Sequence, residues 1–216
     1  MDTNSILKMV DHTELSTVAT FNDIKLLIDD AVLYNCASVC IPPDYVKQAT
    51  EYANGKMPIC TVIGFPNGYQ STATKLFETK EALDNGAQEI DMVINVGRLK
   101  AGDYNGVYQE IKALKNACKD KVLKVIVEAC LLTEEEKIEC CKMVTESGAD
   151  FIKTSTGFSK GGATLEDVKL FKKYIGPSVQ IKAAGGIRDF ESAQAFINAG
   201  ATRLGSSALV KIAKRG

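Results

Sequence analysis

The sequence predicts an α/β protein folded as one (β/α)8 TIM barrel, and three observations lead to this fold class. Short apolar runs typical of strands alternate with helix-like periodic segments along the chain. A motif that marks the end of a helix recurs four times. The length of 216 residues leaves little room for a second domain, so we expect a single barrel domain over residues 1–216.

Eight apolar runs are the predicted strands. Four of them follow the recurring motif, in the segments 33–41, 83–94, 145–154 and 197–207. The other four are the segments 7–10, 58–63, 122–129 and 178–184. In the motif an alanine follows Cys36, Gly86, Gly148 or Gly200, and glycine is typical there because it adopts the left-handed conformation that ends a helix.

Helix signals lie between the predicted strands. Thr133 and Glu136 have the spacing of a capping box, and Thr164 and Asp167 form a weaker version of it. An apolar stripe at helical spacing consists of Val107, Ile111, Leu114 and Cys118. An open doubly wound sheet would also alternate strands and helices, but the chain has no glycine-rich nucleotide-binding signature of either usual type.

The composition indicates a soluble globular protein that does not bind nucleic acid or membranes. Apolar residues make up 45% of the chain, charged residues 25%, and the net charge is −1. No apolar run approaches the roughly 20 residues of a membrane span. The first residues carry acids where a signal peptide carries bases, so we expect a cytoplasmic protein.

The seven cysteines and the single histidine argue against a metal site, and we expect no cofactor. An odd number of cysteines, mostly within apolar runs, favours reduced buried thiols. Cys36 and Cys40 have a spacing seen in metal sites, but no second such pair follows and His12 is the only histidine. A Ser-His-Asp or Cys-His mechanism is therefore also unexpected. Cys40 either reaches the active site as an aldehyde-sensitive thiol or faces the core, and the core is favoured.

The carboxyl ends of the strands, where the active sites of these barrels lie, carry two lysines and an aspartate. Lys153 ends the sixth strand, Lys182 lies in the seventh, and Asp91 lies in the fourth. Asp11 directly follows the predicted first strand. Lysines salt-bridged to Asp91 or Glu128 for structural reasons are the alternative, but two lysines beside a carboxylate and two glycine-rich loops favour catalysis.

A neutral lysine attacks an aldehyde and forms a Schiff base, which draws electrons from the neighbouring carbon bond. An ordinary lysine, with a pKa near 10.4, is neutral in only about one molecule in 2,500 at pH 7. Lowering a pKa to about 7 requires roughly 4.6 kcal/mol. A second ammonium about 4 Å away supplies about 4 kcal/mol at an effective dielectric near 20, and beyond about 8 Å it supplies too little. Lys153 is the expected nucleophile, Lys182 its electrostatic partner and Asp91 the proton shuttle.

Two loops predict a phosphate site. Gly185 and Gly186 follow the seventh strand. Because glycine has no side chain, an anion can approach the backbone N–H groups there. Ser206 and Ser207 follow the eighth strand and open a helix. Loops after strands 7 and 8 bind phosphate in many such barrels, so a small phosphorylated carbonyl compound or sugar is the expected substrate.

The segments "DFIKTSTGF" (150–158), "IKAAGGIR", "EIDMVIN", "VDHTEL" and "ASVCI" resemble those of the deoxyribose-phosphate aldolase family, in the family's order. This resemblance implies a metal-free class I aldolase that cleaves 2-deoxy-D-ribose 5-phosphate to glyceraldehyde 3-phosphate and acetaldehyde. It implies Lys153 as the Schiff-base lysine, Lys182 as the second lysine and Asp91 as the proton relay, with Asp11 in support. Homo-oligomers, dimers or tetramers, are usual in this family. Phosphate contacts are implied at Gly157, Gly185, Gly186, Ser206 and Ser207.

The sequence departs from the family at Phe158, where some members have a lysine that could help to hold phosphate. Arg188 is one candidate for the missing charge. The alternatives are a class I aldolase with a different donor and a barrel that binds phosphosugars without catalysis. A metal-dependent aldolase is a third, which the single histidine disfavours.

Overall fold

Eight parallel strands close into a barrel in the computed structural model, which describes residues 1–215. Each strand pairs with the next in chain order, and the last returns to the first. The predicted TIM barrel is therefore confirmed, and the predicted domain boundary at residue 216 lies outside the described residues. The strands are β1 (Val10–Thr13), β2 (Ser38–Ile41), β3 (Ile59–Ile63), β4 (Glu89–Val93), β5 (Val122–Ile126), β6 (Phe151–Lys153), β7 (Gln180–Ala184) and β8 (Arg203–Ser206).

Helices connect successive strands and form the outer layer. Two additional short helices are 3-10 turns, Pro43–Tyr45 and Ala129–Leu131. No helix within residues 1–215 is long and apolar enough to cross a membrane. The α-helices are α1 (Thr3–Leu7), α2 (Phe21–Leu33), α3 (Val46–Ala53), α4 (Thr72–Asp84), α5 (Val96–Lys100), α6 (Tyr104–Cys118), α7 (Glu134–Ser147), α8 (Leu165–Tyr174), α9 (Phe190–Ala199) and α10 (Leu209–Ala213).

The prediction of a first strand at 7–10 was wrong. Residues Thr3–Leu7 form α1, which the Asp2 side chain caps by accepting from the Ser5 N–H. The strand begins only at Val10 and contains Asp11, which was expected to follow it. The prediction looked for strands as apolar runs, but β1 is not one. Its inward residue, Asp11, is a carboxylate with charged partners inside the barrel.

The predicted helix signals are largely confirmed. Thr133 and Glu136 form the complete capping box at the start of α7, and Thr164 accepts a hydrogen bond from the Asp167 N–H. The stripe on α6 is buried. The glycines of the helix-end motif have positive φ, but in its first copy Asn35, rather than Cys36, has the left-handed conformation (φ 52°). Asparagine tolerates this region better than most residues.

The apolar core lies mainly between the strands and the helices, whereas the barrel interior is largely charged. A small apolar cluster inside the barrel consists of Cys40, Cys60 and Val62. Strand register places Lys153 directly beside Lys182, and Asp91 directly beside Lys124. Because alternate residues of a strand face the interior, this register brings the charged side chains together.

Candidate active site

The interior of the barrel contains a cluster of four cations and three carboxylates, here called the charged cluster. All seven are at least largely buried, and the most exposed is Arg203, with 16% of its side chain accessible. The cations are Lys124, Lys153, Lys182 and Arg203, and the carboxylates are Asp11, Glu89 and Asp91.

Asp91 lies at the centre of the charged cluster. One of its oxygens, Oδ2, accepts hydrogen bonds from Lys153 Nζ at 2.7 Å and from Lys182 Nζ at 2.6 Å. The other, Oδ1, accepts from Lys124 Nζ at 2.8 Å and from the Cys60 thiol at 3.2 Å. A single carboxylate on β4 therefore joins the lysines of β5, β6 and β7.

Asp11 and Glu89 complete the charged cluster below Asp91. Asp11 lies 2.5 Å from Lys182 Nζ, in a contact that lacks hydrogen-bond geometry, and it accepts a hydrogen bond from Arg203 at 2.6 Å. Glu89 lies 2.6 Å from Lys124 Nζ and 3.2 Å from Arg203. Lys124, Lys182 and Arg203 therefore each contact at least two carboxylates, whereas Lys153 contacts only Asp91 among the described residues.

Electrostatics keeps most of the charged cluster ionised at neutral pH. Burial by itself raises the pKa of Asp91, but the ammonium groups of Lys124, Lys153 and Lys182 outweigh burial and hold this pKa well below its usual range. Burial by itself lowers the pKa of Lys182, but the negative charges of Asp11 and Asp91 raise it by more. The pKa of Lys182 therefore lies above its usual value. Lys182 is thus protonated at neutral pH beside Lys153.

Lys153 is the member of the charged cluster that faces a cavity. The cavity has a volume of about 540 Å³ at the carboxyl ends of the strands, within the range typical of small-molecule sites. Asp91, Lys182 and Asp11 lie beneath it, fully buried. The structure therefore places the predicted nucleophile in the cavity wall and the other three predicted catalytic residues directly behind it.

The five predicted phosphate residues all line this same cavity. Three of them are glycines with positive φ, which an L-residue adopts only with strain. The Ser206 hydroxyl donates to the Ile187 carbonyl and accepts from the N–H groups of Ala208 and Leu209, so its hydrogen-bonding capacity is used within the protein. The five residues are Gly157, Gly185, Gly186, Ser206 and Ser207.

Glu128 holds one wall of the cavity rather than pairing with a lysine. It lies just beyond β5 with φ 53°, and it accepts hydrogen bonds from the backbone N–H (3.3 Å) and the hydroxyl (2.5 Å) of Thr156. Among residues 1–215 it forms no ion pair. The alternative in which Glu128 neutralises a lysine is therefore not found in this part of the chain.

Cys40 and Cys60 lie side by side in register inside the barrel and do not line the cavity. Ligand atoms of Cys40, Cys60 and Asp91 lie within 4.8 Å of one another. A metal ion at this position would have to displace ammonium groups from Asp91, so these residues fit a metal poorly. All seven cysteines have free thiols, and Cys130 is the least buried of them.

Sequence reasoning missed Lys124, Glu89 and Arg203. A signal was present for two of them. Lys124 interrupts the apolar run of β5, and Glu89 lies two residues before Asp91, on the same face of β4. Arg203 gave no such signal, because it begins the short strand β8 and reads as a surface residue.

Comparison with known proteins identifies the family of this chain. Residues 5–214 match the DeoC/LacD family of aldolases. The chain is 59% identical over 214 residues to a deoxyribose-phosphate aldolase from Streptococcus pyogenes (serotype M4), covering 99% of this chain and 96% of that protein. The protein of the same name from Clostridioides difficile (strain 630) is 59% identical over 209 residues, covering 97% and 95% of the two chains.

The fold also matches solved structures over its whole length. The tetrameric deoxyribose phosphate aldolase from Aeropyrum pernix superposes with a TM-score of 0.92 and 30% identity, covering 99% of this chain and 91% of that chain. Since both sequence and structure agree along nearly the entire chain, this protein belongs to the DeoC/LacD family of aldolases.

Proposed function

We propose that this protein catalyses the reversible aldol cleavage of 2-deoxy-D-ribose 5-phosphate to glyceraldehyde 3-phosphate and acetaldehyde, through a Schiff base on Lys153. The relatives that carry the name deoxyribose-phosphate aldolase at 59% identity support this substrate. One observation carries the mechanism. Among the four cations of the charged cluster, Lys153 alone lines the cavity while donating to Asp91.

Charge balance selects Lys153 as the lysine that loses its proton. With every group ionised, the charged cluster has four positive and three negative charges, and an uncompensated buried charge is costly. Loss of one proton makes the cluster neutral. Lys153 contacts a single carboxylate of the cluster, shared with two other lysines, and its proton can leave into the cavity. Its neutral amine is the nucleophile.

The cleavage then proceeds through an iminium and an enamine. Lys153 Nζ adds to the C1 aldehyde of the open-chain sugar, and loss of water leaves an iminium. A base removes the C3 hydroxyl proton, the C2–C3 bond breaks, and its electrons form the enamine between C1 and C2. Glyceraldehyde 3-phosphate departs, C2 takes up a proton, and water hydrolyses the iminium to release acetaldehyde.

Asp91 and Lys182 are suited to the proton transfers. They share a hydrogen bond at 2.6 Å next to Lys153, so a proton can pass between them and the substrate by way of Lys153 or of a water. Asp11 holds Lys182 from the other side and keeps it charged. Asp11 thus acts as a positioning residue, one step away from the reacting atoms.

The phosphate group is expected at the end of the cavity formed by the loops after β6, β7 and β8. Gly157, Gly185 and Gly186 present backbone there with no side chain in the way. Ser207 adds an exposed hydroxyl. Helix α10 has only five residues, so side chains and loop backbone, more than a helix dipole, must hold the phosphate.

Two further expectations accompany this function. We propose that the protein forms homo-oligomers, dimers or tetramers, as the similar Aeropyrum pernix enzyme is tetrameric; light scattering at micromolar concentration tests this. We also expect it to act in the cytoplasm, where its seven free thiols would remain reduced.

Borohydride trapping with acetaldehyde tests the mechanism. The native protein should gain one two-carbon adduct, mapped to Lys153 by peptide mass spectrometry, and Lys153→Ala should gain none. An adduct on Lys182 would reverse the two roles. Binding of deoxyribose 5-phosphate without any adduct would instead indicate a phosphosugar-binding protein.

A further inference from the structure

We propose that Lys211 is the second cation of the phosphate site, acting with Arg188, and that it makes the protein prefer phosphorylated over unphosphorylated sugars. This inference rests on the proposed function and names a specificity residue within it. Lys211 lies on α10 and lines the cavity together with Ser207 and Ala208. Its side chain therefore faces the same space as Lys153.

Three cations of the described chain line the cavity, and two of them have no partner within residues 1–215. Lys153 donates to Asp91, whereas Arg188 and Lys211 form neither ion pairs nor side-chain hydrogen bonds with any residue in that range. A sugar phosphate carries about 1.5 to 2 negative charges at pH 7. Two available cations at one end of the cavity match that charge.

The neighbouring lysine of the same segment is paired, in contrast to Lys211. Lys214 lies three residues further along and pairs with Asp30, with Nζ–O distances of 2.8 and 3.0 Å. Lys214 does not line the cavity. Of these two lysines, the structure uses one for an ion pair at the surface and leaves the other available to a ligand.

The cavity wall at Phe158, as far as the described residues form it, offers no cation to the phosphate. Phe158 packs edge-on against Phe65 there, with ring centroids 5.3 Å apart. Among the described lining residues the one carboxylate is Glu14, which accepts a hydrogen bond from the Ser16 N–H. The positive charge of the cavity is thus concentrated in the loop after β7 and in α10, which places the phosphate between Arg188 and Lys211.

The two cations have complementary geometry. The planar guanidinium of Arg188 can bind two phosphate oxygens at once, whereas the lysine ammonium is a point charge on a flexible stem. A lysine can follow the phosphate as the sugar chain opens and reacts. Lys211 would therefore lower KM for the phosphorylated substrate more than it changes kcat.

The test compares Lys211→Met with Lys214→Met, which removes a neighbouring lysine that does not line the cavity. The measured quantity is the ratio of kcat/KM for 2-deoxyribose 5-phosphate to that for 2-deoxyribose. Lys211→Met should reduce this ratio about ten- to hundredfold, mainly through KM, as expected for a hydrogen bond to a charged group. Lys214→Met should keep the native ratio, and Lys211→Arg should restore most of it.

Two outcomes would overturn the proposal: an unchanged ratio in Lys211→Met, or a parallel loss on both substrates, which would mean that Lys211 is only structural. If the native protein cleaves neither sugar, the proposed function fails, and calorimetric titration with inorganic phosphate decides on Lys211 alone. Weakening of phosphate binding by at least about tenfold in Lys211→Met, but not in Lys214→Met, would support it. Equal binding, or none in the native protein, would refute it.

Discussion

Lys153 and Lys182 donate hydrogen bonds to the same oxygen of Asp91, at 2.7 and 2.6 Å. Their Nζ atoms cannot be further apart than the sum of these distances, which is well inside the limit of about 8 Å for effective electrostatic coupling. The proximity that mutual activation requires is therefore present. Asp91 also offsets part of the repulsion, so the balance of the whole charged cluster, rather than one lysine pair, sets the charge of Lys153.

Replacement of Lys182 by Met should abolish most activity. The variant removes one ammonium partner from both Asp11 and Asp91, so stability should fall by about 3–5 kcal/mol. The kcat should fall at least about a hundredfold because proton transfer is lost. Lys75→Met is the matched control. Lys75 is equally buried but pairs with Glu110 outside the barrel interior. The Lys75→Met variant should lose comparable stability in urea unfolding, but its folded fraction should keep the native kcat. Equal losses of kcat in both variants would contradict a catalytic role for Lys182.

If the charged cluster is held near neutrality, two variants should shift the pH dependence of activity in opposite directions. Lys124→Met leaves three cations for three carboxylates, so the cluster is neutral without the loss of a proton. The acid limb of kcat/KM should therefore move to higher pH. Glu89→Gln removes a negative charge and should move that limb to lower pH. A removed charge worth about 1.4 kcal/mol shifts the limb by about one pH unit. Shifts in the same direction, or none, would refute charge balance.

Local signals explain which parts of the molecule could be predicted. The helix-end glycines, the capping box at Thr133 and the strand-end lysines are each recognisable within a few residues. The charged cluster depends on pairs far apart in the chain. Lys124 is 33 residues from Asp91, and Arg203 is 192 residues from Asp11. Only the register of a closed barrel brings such residues together, which also explains why polar β1 was missed.

Gly205→Ala should reduce activity through Lys182. A Cβ at this position would lie 2.9 Å from Ala184 Cβ and 3.4 Å from Lys182 Cε. The contact with Ala184 is too short, so β7, which also carries Lys182, must shift. Overpacking should cost about 1–3 kcal/mol, and a shift of Lys182 near 1 Å would lower kcat about a hundredfold.

Gly55→Ala separates backbone effects from those at the site. Gly55 has φ +75°, and a Cβ added there would meet no described atom within 4 Å, so alanine introduces backbone strain alone. The stability of this variant should fall by about 1–2 kcal/mol while kcat stays native. A Gly205→Ala variant with native kcat would show that Lys182 tolerates the added methyl group.

Alkylation at pH 8 should label Cys130 first. This is the least buried thiol, whereas burial raises the pKa of Cys36, Cys118 and Cys141 to about 12. Thiolate is the reactive form, so those three should react far more slowly. Iodoacetamide labelling followed by peptide mass mapping, with Cys130→Ser as the control, measures the order of reaction.

Cys40 is the informative exception in that experiment. The neighbouring Cys60 side chain lowers the pKa of Cys40, although Cys40 is fully buried and does not line the cavity. If burial dominates, Cys40 should stay unlabelled until the protein unfolds, as expected for a residue of the barrel interior. Labelling of Cys40 before Cys130 would mean that the interior opens in solution, and Cys40 would then be exposed to the aldehydes that the enzyme handles.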